Sequence, residues 1–392
     1  MFKKAFTYIN EVGFLIVGIF FLFLIDLLNF GDFFGYMLLP FILLKSKSLK
    51  ENIDGNFFVL CLLSLTYGLF YALDPVDGIQ LIIVYSTFLP AFYMLGKFFI
   101  NPVKEDKYIF YLLFISAAIY SLPVVVSVYQ NFIEGGFVQV DRSIPYIWTD
   151  EPLSATVMGA YLTLNMVIPA LLVVGRKAIP NVFKIIMIVL FVFSLICSIR
   201  LGSRTQLSVF LITSIVAVIY MLRRQSAKQN AILLLLLVGI VVFVLNTISF
   251  DLNEDWLTSF ASRMEGKGNN AASAGGRTER WVKSFEYLFK KPLGWDLKEF
   301  GYSHNLWLDV LRAGGIIPFV LLIVFSVRSF FQIRKTLRST DNIFINGLIY
   351  IYALAFFLIF MVEPIFDAAF SLFALFCLFI GVINKYYELK TT

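Results

Sequence analysis

Along this chain, apolar runs alternate with short polar turns. A helix that crosses a bilayer needs about 20 mostly apolar residues. Twelve stretches meet or approach that length: 12–28, 33–44, 57–73, 79–100, 108–132, 153–175, 182–200, 205–222, 230–250, 304–330, 343–361 and 365–384. The runs are unbroken, as in 231–245, whereas strands of a membrane barrel alternate polar and apolar positions. The pattern predicts an all-α polytopic membrane protein with about 12 transmembrane helices. Its shortest stretch, 33–44, is set off from its predecessor only by a turn at Asn29–Asp32. The first apolar run leads straight into the next, so no cleavable signal peptide is expected. Three parts follow: helices one to nine over 1–250, a large loop over 251–303, and helices ten to twelve over 304–392.

Composition removes the remaining classes. Apolar residues make up 59% and charged residues 15%, against about 45–50% and about 25% in soluble domains. That excludes a soluble multidomain protein, a disordered chain and a disulfide scaffold. Cys61, Cys197 and Cys377 lie inside apolar runs and read as packed thiols.

The net charge of +6 matters through its distribution. Cytoplasmic loops collect Lys and Arg. With the N-terminus inside, 20 of the 32 basic residues fall on the cytoplasmic side, and nine of the others lie between Arg263 and Arg312. Eleven spans would reverse half of these assignments. Both termini are therefore expected in the cytoplasm. The stretches 133–152, 200–204, 251–303 and 362–364 then face outward and hold most of the polar chemistry, so the working face is expected to be extracytoplasmic.

Within the large loop, Ser259–Gly276 is a glycine-rich, low-complexity stretch that reads as flexible. Beyond it, Trp281, Phe285, Leu288 and Phe289 recur at helical spacing and predict an amphipathic helix over 278–291, ended by Pro292 and Gly294. Its basic residues and Trp281 suit a helix at the membrane surface, and such a helix can hinge a loop over a cavity. A plain surface helix is the alternative.

Four outward clusters carry candidate chemistry. Arg200 and Arg204 are four apart and would share a helical face; a guanidinium fork fits phosphate oxygens, and interfacial anchoring is the competing role. Arg277 and Arg280 open the amphipathic helix, whose N-terminus favours anions; lipid headgroups compete for them. His304, the one histidine, follows Ser303 and precedes Asn305, and an imidazole abstracts protons near neutrality. Further along, Asp309 and Arg312 are three apart and could pair within the helix. The last cluster, Glu363-Pro364, breaks the chain at the mouth of the expected cavity, with a simple turn as its alternative. Arg142, beside Asp141, and the pair Asp150-Glu151 are further candidates in loop 133–152, with a solvated loop as the default. External Tyr146, Trp148, Trp256 and Trp295 could stack on sugar rings, although an interfacial aromatic belt explains most of them. No Asp-x-Asp pair, His/Cys ligand spacing, P-loop or Gly-x-Ser-x-Gly occurs. Asn253-Glu254-Asp255 reads as a solvated acidic loop. A metal-independent site without a cofactor is the simpler expectation, and nothing resembles a nucleic-acid binder.

Several of these features occur together in one family. The turn Gly202-Ser203-Arg204-Thr205, the series Arg277-Thr-Glu-Arg-Trp281, Pro292-Leu-Gly294, His304-Asn-Leu-Trp-Leu308 and Gly314-Gly315 follow one another in order. In this the chain resembles the O-antigen polymerase and O-antigen ligase superfamily of bacterial envelope glycan assembly, although Thr205 stands where the family has Gly. The resemblance implies a GT-C-like, multi-span glycosyltransferase of the bacterial cytoplasmic (inner) membrane. It implies inversion at the anomeric carbon without metal, and undecaprenyl-diphosphate-linked glycans as substrates. On that reading His304 takes the acceptor proton, Arg204, Arg277 and Arg280 hold the diphosphate, and Arg142, Arg200, Asn305 and Glu363 bind or steer substrate. A chain-length regulator protein and membrane lipids are the partners it implies. A polymerase leads; a ligase that delivers finished glycan to lipid A core is its rival, and a polysaccharide or lipid-sugar flippase is the alternative from another class.

Overall fold

The computed structural model describes residues 8–44, 46–75, 78–102, 105–247, 251, 254–265 and 276–391. Most of them are helical; the one sheet among the described residues is a two-stranded hairpin, β1 (Ile144–Pro145) against β2 (Pro152–Leu153). The helices are α1 (Phe14–Leu24), α2 (Gly31–Leu44), α3 (Ser46–Asn52), α4 (Gly55–Leu73), α5 (Gln80–Ile100), α6 (Lys107–Gly135), α7 (Ala155–Leu162), α8 (Ile168–Val174), α9 (Asn181–Arg200), α10 (Arg204–Leu222) and α11 (Ala227–Thr247). After the large loop's α12 (Thr258–Glu265) and α13 (Arg277–Lys290) come α14 (Leu306–Gly314), α15 (Ile316–Ser339), α16 (Ile343–Val362), α17 (Ile365–Ala368) and α18 (Phe370–Thr391).

Among the described residues, eight helices are long and apolar enough to cross a membrane: α4, α5, α6, α9, α10, α15, α16 and α18. The chain is an all-α, membrane-embedded protein. Of the other expected spans, 12–28, 33–44, 153–175 and 304–330 are shorter or broken, and each break has a local cause. Between α1 and α2, Asp26, Leu28 and Asn29 take positive φ, and the Asp26 carboxylate closes the turn on the Gly31 amide at 2.8 Å. The expected span 153–175 splits into α7 and α8, with a proline in the first turn of α8, where a missing N–H costs least. The expected tenth span, 304–330, breaks at Gly315, whose φ is +73. The nine-residue α14 precedes that break and α15 is the spanning part.

Two compact units make up the chain: 1–123 with 270–392, and 124–269. In the first unit α5 packs on α18 through reciprocal glycines. A methyl group at Gly96 would overlap the Leu378 carbonyl, and one at Gly381 the Tyr93 carbonyl. Small residues at such crossings let membrane helices approach closely. Phenylalanines fill the space on either side, with Phe20 and Phe23 against Phe92, and Phe356, Phe360 and Phe373 around Phe376.

One end of this unit is closed by an ion cluster. Lys97, counted from sequence as a loop cation, is fully buried within α5. Its Nζ pairs with Asp54 and lies 2.9 Å from Glu388 Oε1. The Asn52 carbonyl also accepts from Lys97, at 3.0 Å. Tyr93 donates to Asp54 at 2.6 Å, and Asn384 donates to the same carboxylate at 2.7 Å.

The second unit centres on Val124, Val128, Met158, Leu162, Cys197 and Leu201. At the α7–α8 break Asn165 donates to Ser194 at 2.9 Å, and Gln206 donates to Thr163 at 3.4 Å. These groups are neutral. Ionisable side chains at membrane depth mark transport paths, and this break is built without them.

Candidate functional site

The candidate residues of the first unit gather at the end opposite Lys97, where α16 finishes and α13 lies. Helix α13 begins at Arg277, preceded by Gly276 with φ +80. One face of α13 grips the segment that leads to His304. Arg280 Nη1 donates to the Tyr302 carbonyl at 3.0 Å, Trp281 Nε1 to the Ser303 carbonyl at 2.8 Å, and Ser284 Oγ meets Ser303 Oγ at 2.8 Å. The inward face is thus Trp281, Ser284, Tyr287 and Leu288, the last two packing with Trp295, Leu308 and Leu311. Phe285 and Phe289, expected on that face, are exposed, as are Val282 and Leu293. The reason is the hydrogen bonding: the bonds from residues 280, 281 and 284 set the rotation of the helix. The exposed apolar stripe suits a helix lying against lipid.

The Pro292-Leu-Gly294 and Gly314-Gly315 motifs turn out to be two halves of one junction. Ile316 donates to the Pro292 carbonyl at 2.8 Å, and Trp295 donates to the Arg312 carbonyl at 3.0 Å. A methyl group at Gly294 would overlap that Arg312 carbonyl, and a Cβ at Gly315 would sit 2.7 Å from the Pro292 oxygen. Both glycines have positive φ. Backbone meets backbone here because neither residue has a side chain.

Glu363 joins the site's ends. It follows α16 and is 5% exposed. Its Oε1 lies 3.6 Å from Arg277 Nη2 and its Oε2 3.7 Å from His304 Nδ1. Arg277 and His304 are partly exposed, so a buried carboxylate stands behind a cation and an imidazole that both reach the surface. Asn305 caps α14, accepting from the Leu308 amide at 3.2 Å. Its Nδ2 reaches the Met361 carbonyl at 3.4 Å, two residues before Glu363.

Asp309 and Arg312 do not pair as the spacing suggested. Arg312 Nη2 binds Asp367 at 2.9 Å and stacks over the Tyr302 ring at 5.5 Å. Asp309 instead turns back to accept the amides of Ser303 at 2.7 Å and Asn305 at 3.0 Å. Burial and the nearby Asp367 push the Asp309 carboxyl up to about 7. At the far end of α13, Lys291 holds Glu299 at 2.5 Å, which lowers that carboxyl below its usual range.

Arg142, Arg200 and Arg204 belong to the second unit. Arg200 ends α9 and Arg204 opens α10, with Gly202 at φ +56 between them. The two therefore share no helical face. Arg200 is buried, its Nη1 donating to the Gln139 and Asp141 carbonyls and its Nη2 to Gln139 Oε1 at 2.6 Å. Arg142 Nε donates to the Leu201 carbonyl at 2.6 Å. These bonds tie the loop after α6 to the α9–α10 turn. Arg204 is exposed.

Loop 133–152 contains the β1–β2 hairpin, in which Asp150 has φ +56 and Tyr146 donates to the Glu151 carbonyl at 2.9 Å. Tyr146 and Trp295 are buried in packing, which removes their ring faces from sugar stacking. The expected flexible stretch begins as helix α12, with Ser259 Oγ on the Arg200 carbonyl at 3.0 Å. The glycine-rich residues 266–275 and Asn253 lie outside the described residues.

No family model matches this chain, and no curated protein matches it.

Proposed function

We propose that this chain is a polysaccharide polymerase of the O-antigen type: a glycosyltransferase that moves a glycan chain from one undecaprenyl diphosphate to the next lipid-linked repeat unit. On this reading it is a GT-C-like protein of about twelve spans in a bacterial inner membrane. Both termini are cytoplasmic and the site is extracytoplasmic. One observation carries the reading: Arg277 and His304 face the same buried carboxylate, Glu363.

The chemistry that follows is a single inverting displacement. The acceptor hydroxyl oxygen attacks the anomeric carbon while the bond from that carbon to the diphosphate oxygen breaks. The hydroxyl proton passes to His304 Nε2, because Nδ1 faces Glu363. A carboxylate behind an imidazole fixes its tautomer and stabilises the imidazolium that forms. The electron pair of the broken bond leaves with the diphosphate, which Arg277 and Arg280 hold. Stabilising developing charge is usually the largest catalytic contribution, and the base typically adds about 10²–10⁴-fold. An apolar cavity of about 440 Å³ begins at Leu306 and Trp307, next to this site, and descends between α15 and α16 past Leu354 and Phe357. Its lining suits the carrier's hydrocarbon tail.

The test is the glycan ladder of a deletion strain. Loss of a polymerase leaves single repeats on the acceptor. A bare acceptor with lipid-linked polymer would mean a ligase. Cation-driven substrate uptake into vesicles with no glycan product would mean a transporter.

A further inference from the structure

We infer that Asp309 is the positioning residue for His304: its two carboxylate oxygens hold the amides on both sides of the histidine and force it into a left-handed conformation that projects its imidazole. The inference rests on reading His304 as the reacting base.

His304 has φ +52, a region sparsely populated by residues other than glycine. Something must impose it. Ser303 donates its amide to Asp309 Oδ1 at 2.7 Å, and Asn305 donates its own to Oδ2 at 3.0 Å. The two bonds skip residue 304 and close the backbone around it. A capping box does less: there the third helical residue returns to the N-cap amide alone. Asp309 is the fourth residue after the Asn305 cap, and it also reaches the amide two residues further back.

A carboxylate is suited to this because it accepts at both oxygens and donates at neither when ionised. Asp309 is fully buried, so both bonds form away from water. The rest of the segment is fixed as well. Trp281 holds the Ser303 carbonyl at 2.8 Å, and Arg280 holds the Tyr302 carbonyl at 3.0 Å. The Tyr302 ring meets the imidazole edge-on at 6.4 Å, with Arg312 over its other side at 5.5 Å. Backbone groups on both sides of His304 are tied down, while its Nδ1 is buried 3.7 Å from Glu363, which leaves Nε2 as the atom for the substrate. That is how a side chain is held ready for a ligand rather than spent on the fold.

The chain's single histidine makes the test clean. Protein labelled with ¹³C and ¹⁵N at histidine alone gives one imidazole signal. Asp309→Asn replaces one acceptor oxygen with an amide that faces an N–H, so one of the two bonds is lost. The expected result is a displaced or multiplied imidazole signal, together with at least a tenfold drop in polymer. An Asp309→Asn signal that coincides with the wild type overturns the inference.

A second comparison serves if that variant does not accumulate. With Asp309 intact, His304→Gly should melt at a higher temperature than His304→Ala, because glycine alone takes positive φ without penalty. The opposite order overturns the inference, since in ordinary backbone alanine is the more stabilising of the two. The polymerase reading fails separately. If His304→Ala retains long chains, the base assignment is wrong, whatever the spectrum of Asp309→Asn shows.

Discussion

Three glycines with nearly the same φ make a graded test of the junction beneath the site. Gly276 (+80), Gly301 (+76) and Gly315 (+73) differ in what surrounds them. A Cβ at Gly276 meets nothing within 4 Å, one at Gly301 meets only Arg280 Cζ at 3.9 Å, and one at Gly315 comes within 2.7 Å of the Pro292 oxygen. Alanine at the first two positions pays only for backbone conformation, about 1 kcal/mol each. Gly315 adds a ψ of −169, a combination that is essentially glycine-only. Ordinary contact begins near 3.4 Å, so Pro292 must also retreat by 3.4 − 2.7 = 0.7 Å, a strain of about 1–3 kcal/mol. The bond from Ile316 to Pro292 goes with it, at about 1 kcal/mol. Gly315→Ala should therefore cost about 3–5 kcal/mol, several times the other two. A displacement of this size near a reacting group can cost up to about 100-fold in rate. Thermal unfolding in detergent and the glycan ladder of a complemented deletion strain read the two effects. If Gly315→Ala melts and polymerises like Gly276→Ala, the junction does not support the site and the reasoning fails.

Other expectations follow from the same geometry. His304→Ala should abolish polymer while the protein stays in the membrane; normal long chains on the ladder would remove the base assignment. Arg277→Ala and Arg280→Ala should each raise the donor concentration needed for half-maximal activity in a vesicle assay, and unchanged values in both would make them headgroup anchors. Lys97→Met removes the buried cation that Asp54 and Glu388 share, a loss of about 3–5 kcal/mol, so membrane abundance should fall; abundance equal to wild type would refute it. Asp309 also gives a pH signature. Its folded value, about 7, stands above the ordinary 3.8, so the folded chain binds the extra proton and loses stability as pH rises through that interval. Asp309→Asn should remove that share of the slope in melting temperature, with Arg312 and Asp367 left in place; an unchanged slope would refute the assignment.

The sequence made the membrane class legible because apolar runs persist whatever the packing. Breaks within runs were harder to see. At Gly315 a single glycine ends α14, and nothing in hydropathy separates 306–314 from 316–339. The order of the site motifs also showed in sequence, but not their contacts: Pro292-Leu-Gly294 and Gly314-Gly315 are some 20 residues apart and meet through backbone atoms that carry no side-chain signal. Arg200 shows the opposite failure. Its guanidinium pattern fits an anion, yet its two Nη groups bond Gln139 and Asp141, partners that spacing along a helix does not reveal. Asp309 was read as a partner for Arg312 because i,i+3 proximity is the commonest source of such pairs. The competing acceptor for Arg312, Asp367, lies in a different helix.

Access to charge distinguishes the two ends of the first unit. Around Lys97 the cations and carboxylates match: Asp54 and Glu388 face Lys97, and Lys385 meets Glu388 at 3.1 Å. Buried charges persist only when compensated in this way, and this end is complete without a ligand. At the other end Arg312 is neutralised by Asp367 at 2.9 Å, while Arg277 and His304 face one carboxylate, Glu363, and Arg280 donates to the Tyr302 carbonyl. Arg277 reaches the surface there, whereas Lys97 is sealed. An incoming anion can therefore meet Arg277 from solvent, whereas at Lys97 it would have to displace a carboxylate. Glu363→Gln sharpens the contrast. It removes the only carboxylate among the described residues within 4 Å of both Arg277 and His304, which should tighten binding of inorganic diphosphate while slowing polymerisation, because anion capture needs the arginines and proton transfer needs the oriented imidazole. Weaker diphosphate binding in that variant, read by calorimetry, would show that Glu363 holds the arginines in place rather than competing for them.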